Sequence, residues 1–271
     1  MEIVSVIVPV SRQGQWVDAC LESIAEQDYP AIDLIRIDDR DGSGAAATRN
    51  RGLERPTGEY IAFVDDDDLL EPGAISALVA GMDGVDFVAG SFCKFGDFSA
   101  TVAHEGAVLD RMALAAYAME NLRSPAQNQM LSGCWAKLYR RSLCGRFPPL
   151  TTAEDMAFNF DYFTRCKRAR FIPNLVYANR KHSNSLTTTF DPSNQGGLFG
   201  FLTALREVKR FLAPYYPEAE IEDALDSSKT YHAMLYFMRI CQYEANSDSF
   251  SDITGLTRQS VMRDTFKKLY P

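Results

Sequence analysis

No apolar run in this 271-residue sequence exceeds the length of a strand. Ile3 to Val10 is typical, far short of the roughly 20 residues of a membrane-spanning helix. The N-terminus, Met1-Glu2-Ile3-Val4, lacks the basic region and long apolar core of a secretory signal, so the expected location is the cytoplasm. Positive charge is scarce: 28 Lys and Arg against 36 Asp and Glu give a formal net charge of -8. That argues against a nucleic-acid partner, which calls for a basic surface. It leaves room for a small phosphate site, which needs only a few cations and backbone N–H groups. The six cysteines (Cys20, Cys93, Cys134, Cys144, Cys166 and Cys241) have no metal-like spacing and read as reduced packing residues. A Cys134–Cys144 bridge is compatible with the spacing, but nothing else recommends it. There is no internal repeat and no low-complexity tract.

What is present is ordinary in amount and ordered in pattern. With 46% hydrophobic and 24% charged residues, the chain has the composition of a globular protein, long enough for one large domain or a core with an appendage. Ser5 to Val10 reads as a buried strand ending near Pro9, and Trp16 to Gln27 as an amphipathic helix. A second strand, Leu34 to Ile37, runs into Asp38-Asp39. A Gly-rich turn, a short helix over Ala45–Leu53 and a third strand over Tyr60–Val64 follow. Pro72 introduces a helix over Gly73–Met82, and Asp86–Phe92 reads as a fourth strand. This alternation predicts an α/β fold with an open, mostly parallel sheet, whose ligands bind beyond the carboxyl ends of the strands. From about Phe190 onward, Leu198, Phe201, Leu202, Leu205, Val208 and Leu212 recur at helical spacing, as do Ile221, Leu225, Leu235 and Met238. The expected division is therefore a core of residues 1–190 and a helical appendage of 191–271.

Three strands end in polar or acidic residues at one rim: Pro9-Val10-Ser11, Asp38-Asp39 and Asp65-Asp66-Asp67-Asp68. Four adjacent carboxylates are costly unless solvated or neutralised. If the strand stays extended, Asp65 and Asp67 share one side and Asp66 and Asp68 the other. A same-side pair suits Mg²⁺ or Mn²⁺ holding a diphosphate. A solvated acidic loop is the bland reading, weakened by the buried strand that precedes the run. An EF-hand is excluded, because the run lacks the alternating oxygen ligands, the Gly and the distal Glu. A phosphatase with Asp65 as nucleophile is a minor competitor, since its Asp-x-Asp normally follows the first strand.

These segments, read in order, resemble a family 2 glycosyltransferase. They are Val4-Ser5-Val6-Ile7-Val8-Pro9-Val10, Asp38-Asp39, Ala47-Thr48-Arg49-Asn50-Arg51-Gly52-Leu53, and Gly58-Glu59-Tyr60-Ile61-Ala62-Phe63-Val64 followed by the four aspartates. The pattern covers most of residues 1–190. The resemblance implies the GT-A fold and inverting, metal-dependent transfer of a sugar from a nucleotide-diphosphate donor, usually UDP-linked. The acceptor would be a glycan or lipid-linked saccharide, as in bacterial cell-surface polysaccharide synthesis. It implies that Pro9 and Val10 line the base pocket, that Asp39 bonds the base, and that Arg49 lies near the nucleotide. Asp65 and Asp66 would sit near the ribose and donor sugar, with Asp67 the principal ligand for Mn²⁺ or Mg²⁺ and Asp65 beside it. Asp68 is given no part in the site. The sequence departs from the family where Arg40-Asp41-Gly42-Ser43-Gly44 runs almost directly into Ala45, leaving out a helix and a strand. A non-catalytic nucleotide-sugar-binding relative is the alternative that this gap raises.

On the acceptor side, Gly133 to Arg141 resembles the family's acceptor floor. Trp135 would stack on a sugar face or pack in the core, and Lys137 would approach a phosphate or snorkel. Thr151-Thr152-Ala153-Glu154-Asp155 matches the segment supplying the catalytic base, assigned to Asp155 with Glu154 in support. Thr151 or Thr152 would cap the following helix, whose first turn favours an ionised carboxylate. Tyr177 to Leu186 resembles the closing strand and loop, with Arg180, Lys181 and His182 placed to reach the diphosphate. The helical tail is expected to pack on the core or form a homodimer surface. Peripheral contact with the inner face of the membrane is a lesser reading, since the tail lacks a dense basic face.

Overall fold

The computed structural model of the chain describes residues 1–11, 13–96, 99–125, 133–182 and 196–246, with side chains of 196–199 and 236–246 left aside. The first strand, β1 (Val4–Val10), is buried along its whole length. It pairs in parallel with β2 (Ile32–Asp38) on one side and β3 (Tyr60–Phe63) on the other. A strand covered on both faces and both edges needs a nearly continuous apolar run, which Val4 to Val10 supplies but for Ser5, whose Oγ donates to Asp33 and accepts from Gly58 N. The crossovers are α1 (Gln15–Ala25) and α2 (Gly44–Leu53). Gly52 of α2 lies so close to β1 that a Cβ there would sit 2.5 Å from Ile7 Cγ2, so the helix seats tightly on the strand.

After β3 come β4 (Leu69–Leu70), α3 (Ala74–Gly81), β5 (Phe87–Gly96), β6 (Ala100–Val102) and β7 (Ala107–Asp110). Then follow α4 (Arg111–Arg123), β8 (Lys137–Arg140), α5 (Glu154–Phe163), β9 (Arg168–Lys181), α6 (Gly196–Leu212) and α7 (Glu218–Asn246). Asp110 caps α4, accepting from Ala113 N at 2.9 Å. The sheet order is β2-β1-β3-β8-β5-β9-β4, with β6 on β5 and β7 on β9. β8 is antiparallel to both its neighbours, whereas β5 and β9 form a long parallel pair. The expected mostly parallel, open α/β sheet flanked by helices is the observed one. Among the described residues β2 has a single neighbour and Leu34 on it is 43% exposed, so the short connection from Asp39 to α2 leaves this strand at the sheet edge.

The helical tail completes the core. Phe201, Leu205, Val208 and Leu212 of α6, with Ile221 and Leu225 of α7, are buried in the same cluster as β1 and α5. Each such side chain stabilises the fold by roughly 1.5–3 kcal/mol when fully buried. The apolar stripe of α6 is thus taken up by the protein itself rather than by a membrane surface. Backbone packs on backbone where α6 meets the segment before α5: a Cβ on Gly200 would lie 2.4 Å from Thr152 O. Gly200→Val should therefore cost about 1–3 kcal/mol through overpacking, read as a lower Tm. An unchanged Tm would show that α6 does not seat on Thr152. Among the described residues no helix is long and apolar enough to cross a membrane. The five described cysteines are free, and the Cys134–Cys144 bridge is not formed.

Candidate active site

The chain does not remain extended through the aspartates. It turns after β3, with Asp68 N donating to Asp65 O at 3.1 Å, so the expected two-sided alternation is replaced by four separate directions. Asp65 Oδ1 meets Arg49 Nη2 at 2.7 Å. Asp66, 4% exposed, accepts from Ser11 N at 2.7 Å and Ser11 Oγ at 3.1 Å. Asp67 Oδ2 lies 3.0 Å from His182 Nε2. Asp68 is fully buried and accepts from Tyr177 Oη (2.7 Å), Asn179 Nδ2 (2.8 Å) and Arg180 N (2.6 Å). Burial, helped by the charges of Asp65 and Asp67, pushes its carboxyl up to about 8. Far from being peripheral, Asp68 ties the turn to the end of β9.

Arg49 joins this turn to the start of α5. It is 4% exposed, and its Nη1 reaches Glu154 Oε1 at 2.9 Å and Asp155 Oδ1 at 2.8 Å. Its guanidinium lies 5.4 Å from the Phe147 ring centroid, so this is a buried ion cluster and not a surface salt bridge. Asp155 Oδ2 also accepts from Cys134 N at 3.2 Å. Neither threonine occupies the cap position of α5, which falls to Ala153 in the left-handed region at φ 60°. Ala136, on the other side of the site, is likewise left-handed at φ 56°. Two such non-glycine residues mark backbone held in place by its surroundings. The expectation of a carboxylate kept ionised by the helix end is corrected. Burial pushes Asp155 up to about 7, Glu154 and Asp65 add to the rise, and Arg49 and the Cys134 N–H oppose it.

The remaining predicted residues fall into three places. Pro9 and Val10 are buried at the carboxyl end of β1, and Asp39 N donates to Val10 O at 2.8 Å, which brings the expected base-pocket residues together. The Asp39 carboxylate closes its own loop, accepting from Ser43 N, Ser43 Oγ and Gly44 N, each at 2.9 Å. Burial alone would raise its pKa, but these donors hold it down at about 2. Arg180 and His182 flank the Asp67 side. Arg180 Nε donates to Asp67 O at 2.8 Å, and the His182 ring packs on Trp16 with centroids 4.7 Å apart. Trp135 serves packing on one face, stacked on Tyr177 at 5.1 Å and edge-on to Phe92 at 4.6 Å. Lys137 neither snorkels nor reaches an open phosphate. It is 1% exposed and its Nζ donates to Trp135 O at 3.0 Å, with burial lowering its pKa to about 8.

An aspartate turn and a buried Glu-Asp pair on a separate helix thus converge on one arginine. The family model "Glycosyl transferase family 2" matches residues 40–146, which include Arg49 and the whole aspartate run. Residues 40–146 thus carry a glycosyltransferase family 2 signature. The chain is 26% identical over 216 residues to the uncharacterized glycosyltransferase EpsJ of Bacillus subtilis, covering 68% of this chain and 63% of that one. It is 25% identical over 224 residues to the putative glycosyltransferase EpsH of the same organism, covering 69% and 63%. It therefore spans less than two thirds of the length of these relatives. The fold is similar to S. aureus TarS 1–349 in complex with UDP-GlcNAc, with a TM-score of 0.70 at 17% identity over 98% of this chain and 80% of that one. It is also similar to the mannosyltransferase PcManGT from Pyrobaculum calidifontis in complex with GDP-Man and Mn²⁺, with a TM-score of 0.55 at 16% identity over 99% and 84%. The fold is of the GT-A type.

The residues present fit a divalent cation of the kind the family uses, held mainly by solvent and ligand. Among the described residues no group of three or more His, Cys, Asp and Glu is assembled around a metal position. Asp67 and Asp65 are the part-exposed carboxylates of the turn, their side chains 18% and 27% exposed, with Asp67 beside His182. Asp65 has one oxygen on Arg49. One hard oxygen donor with room for waters and phosphate oxygens is the set Mg²⁺ or Mn²⁺ accepts. Ser11, Trp16, Tyr177 and Asn179 support the site without having been assigned roles from sequence. Ser11 alone carried a signal, its place at the end of the first strand.

Proposed function

We propose that the chain catalyses inverting transfer of a sugar from a nucleotide-diphosphate donor, UDP-linked, to a hydroxyl of a glycan or lipid-linked saccharide. The observation that carries this reading is the convergence of Asp65 and Asp155 on Arg49, which sets a donor turn beside a buried carboxylate of raised pKa. Pro9, Val10 and Asp39 border the base, and Asp65 and Asp66 border the ribose and donor sugar. Asp67 holds the cation, with Arg180 and His182 next to the diphosphate; the cation supplies charge neutralisation for the departing nucleoside diphosphate. Asp155 accepts the proton of the attacking hydroxyl. Its pKa near neutrality matches a base that must be ionised yet still bind a proton. Trp135 presents its partly exposed edge as an acceptor floor. A nucleotide-sugar donor places the reaction on the cytoplasmic side of the membrane.

One observation favours a second reading, a relative that binds nucleotide sugars without transferring them. The Asp39 carboxylate is engaged within its own loop, and among the described residues β2 has no outer neighbour. A thermal-shift panel of nucleotide sugars, with and without Mn²⁺, paired with a transfer and donor-hydrolysis assay, separates the two. A donor at 100 times its Kd should stabilise the fold by about 2.7 kcal/mol, and Asp67→Ala should remove the Mn²⁺-dependent part. Binding with neither transfer nor hydrolysis would establish the second reading. No shift with any nucleotide sugar would defeat both.

A further inference from the structure

Arg49 satisfies three carboxylates from two segments far apart in sequence: Asp65 after β3, and Glu154 and Asp155 at the start of α5. Its two Nη atoms point in different directions to do so, while its Nε is buried with no hydrogen-bond partner. An orphaned buried donor is costly, which indicates that the guanidinium is placed by its carboxylates and not by the packing around its stem. We propose that Arg49 is a positioning residue that fixes the Asp155 carboxylate in register with the donor turn at Asp65. Base and donor are then aligned by one rigid fork. This inference rests on the reading of Asp155 as the base.

The groups facing Asp155 can be named. Arg49 comes from α2, Glu154 from its own helix, and Asp65 from the turn after β3. Cys134 lies just before β8, and Lys137 and Tyr139 are on β8 itself. Of the two cations, Arg49 is in hydrogen-bond contact with Asp155, whereas Lys137 Nζ donates to Trp135 O. A lysine at position 49 would keep a charge beside Asp155. It would lack the planar fork that reaches Asp65 and α5 together. The two variants Arg49→Lys and Arg49→Met therefore separate charge from alignment.

The test measures transfer by the full chain and both variants across the pH range on either side of 7, with donor KM and kcat resolved. Arg49→Lys should lower kcat about tenfold with little change in donor KM, and its acid limb should stay where the parent's lies. Arg49→Met should lower kcat further and move the acid limb up by about one pH unit, since the cation no longer favours ionised Asp155. Unchanged kcat per folded enzyme in Arg49→Lys, or an unmoved limb in Arg49→Met, overturns the inference. A carboxyl-carbon NMR titration of Asp155, assigned with Asp155→Asn, is the readout independent of turnover. The resonance should titrate higher in Arg49→Met and near the parent value in Arg49→Lys. If the parent transfers no sugar, the proposed function fails. The NMR arm still decides Arg49, because an unshifted titration in Arg49→Met overturns its role there too. Arg49→Lys, which keeps the buried charge balanced, carries the test if Arg49→Met does not fold.

Discussion

Asp155→Asn should lower sugar transfer by about 10²–10⁴-fold while leaving nucleotide-sugar binding unchanged. The substitution keeps the size of the side chain and one oxygen that can accept from Arg49 Nη1, at the cost of the weaker bond from Cys134 N, which then faces the amide nitrogen. What it removes is the capacity to take a proton. With Asp155 as the proposed base, transfer by the parent should rise as pH passes through about 7 and level off above it, because only its ionised form can take the proton. Stability runs the other way. The folded pKa of Asp155 is raised above its ordinary value of 3.8. Its favourable linkage is therefore complete below that value and is lost as pH climbs through about 7. Asparagine does not titrate, so the Tm of Asp155→Asn relative to the parent should increase from mildly acid to alkaline pH. Transfer at parental rates would remove Asp155 as the base, and a collapse of Tm at all pH values would assign the loss to folding instead.

Where the fold was legible in sequence, one element supplied its own evidence. β1, apolar but for Ser5, and β3 are nearly continuous apolar segments, as strands buried on both sides usually are. α1 carries Val17, Cys20 and Ile24 at helical spacing onto the core. β8 is four residues, Lys137 to Arg140, two of them cationic, and gains its place from antiparallel pairing with β3 and β5. β9 contains Pro173 and mixes charged with apolar residues over fourteen positions, so no short-range period announces it. Its partner β5 lies about eighty residues earlier, and only tertiary pairing makes it a strand.

The same division holds at the site. That Asp65 to Asp68 follow a buried strand was visible, and it pointed to a binding rim. Their directions were not visible, because extended alternation fails once Asp68 N bonds Asp65 O and the run becomes a turn. Asp155 was found through the family resemblance. Its raised pKa comes from burial, with Asp65 and the adjacent Glu154 adding to it against Arg49 and the Cys134 N–H, and apart from Glu154 none of these groups adjoins it in the chain. Lys137 misled for a related reason. A lysine beside a tryptophan in a predicted acceptor floor reads as a phosphate contact until the strand is seen to turn it inward.

The largest expected loss of stability is at the aspartate that sequence gave no role. Asp68→Ala should destabilise the fold by about 3–5 kcal/mol, since it strands three donors that have been taken out of water, at about 1–3 kcal/mol each. They are Tyr177 Oη, Asn179 Nδ2 and Arg180 N. Water that reaches the vacated site offsets part of that sum, which is why the figure lies below the full total. The sign of the pH dependence follows from the raised pKa of about 8. The favourable linkage of Asp68 is complete below its ordinary value of 3.8 and is lost as pH rises through about 8. The cost of Asp68→Ala should therefore be greatest in acid and shrink toward alkaline pH, measured as the difference in Tm between variant and parent. A cost that grows with pH would mean that Asp68 is held as a stabilised carboxylate, and that its three donors outweigh its burial. Either way the effect should reach the donor site. The Asp68 carboxylate fixes Tyr177, whose hydroxyl accepts from Asp65 N, and Arg180, whose Nε donates to Asp67 O. Asp68→Ala should thus weaken donor binding together with the fold, whereas Asp67→Ala weakens binding alone.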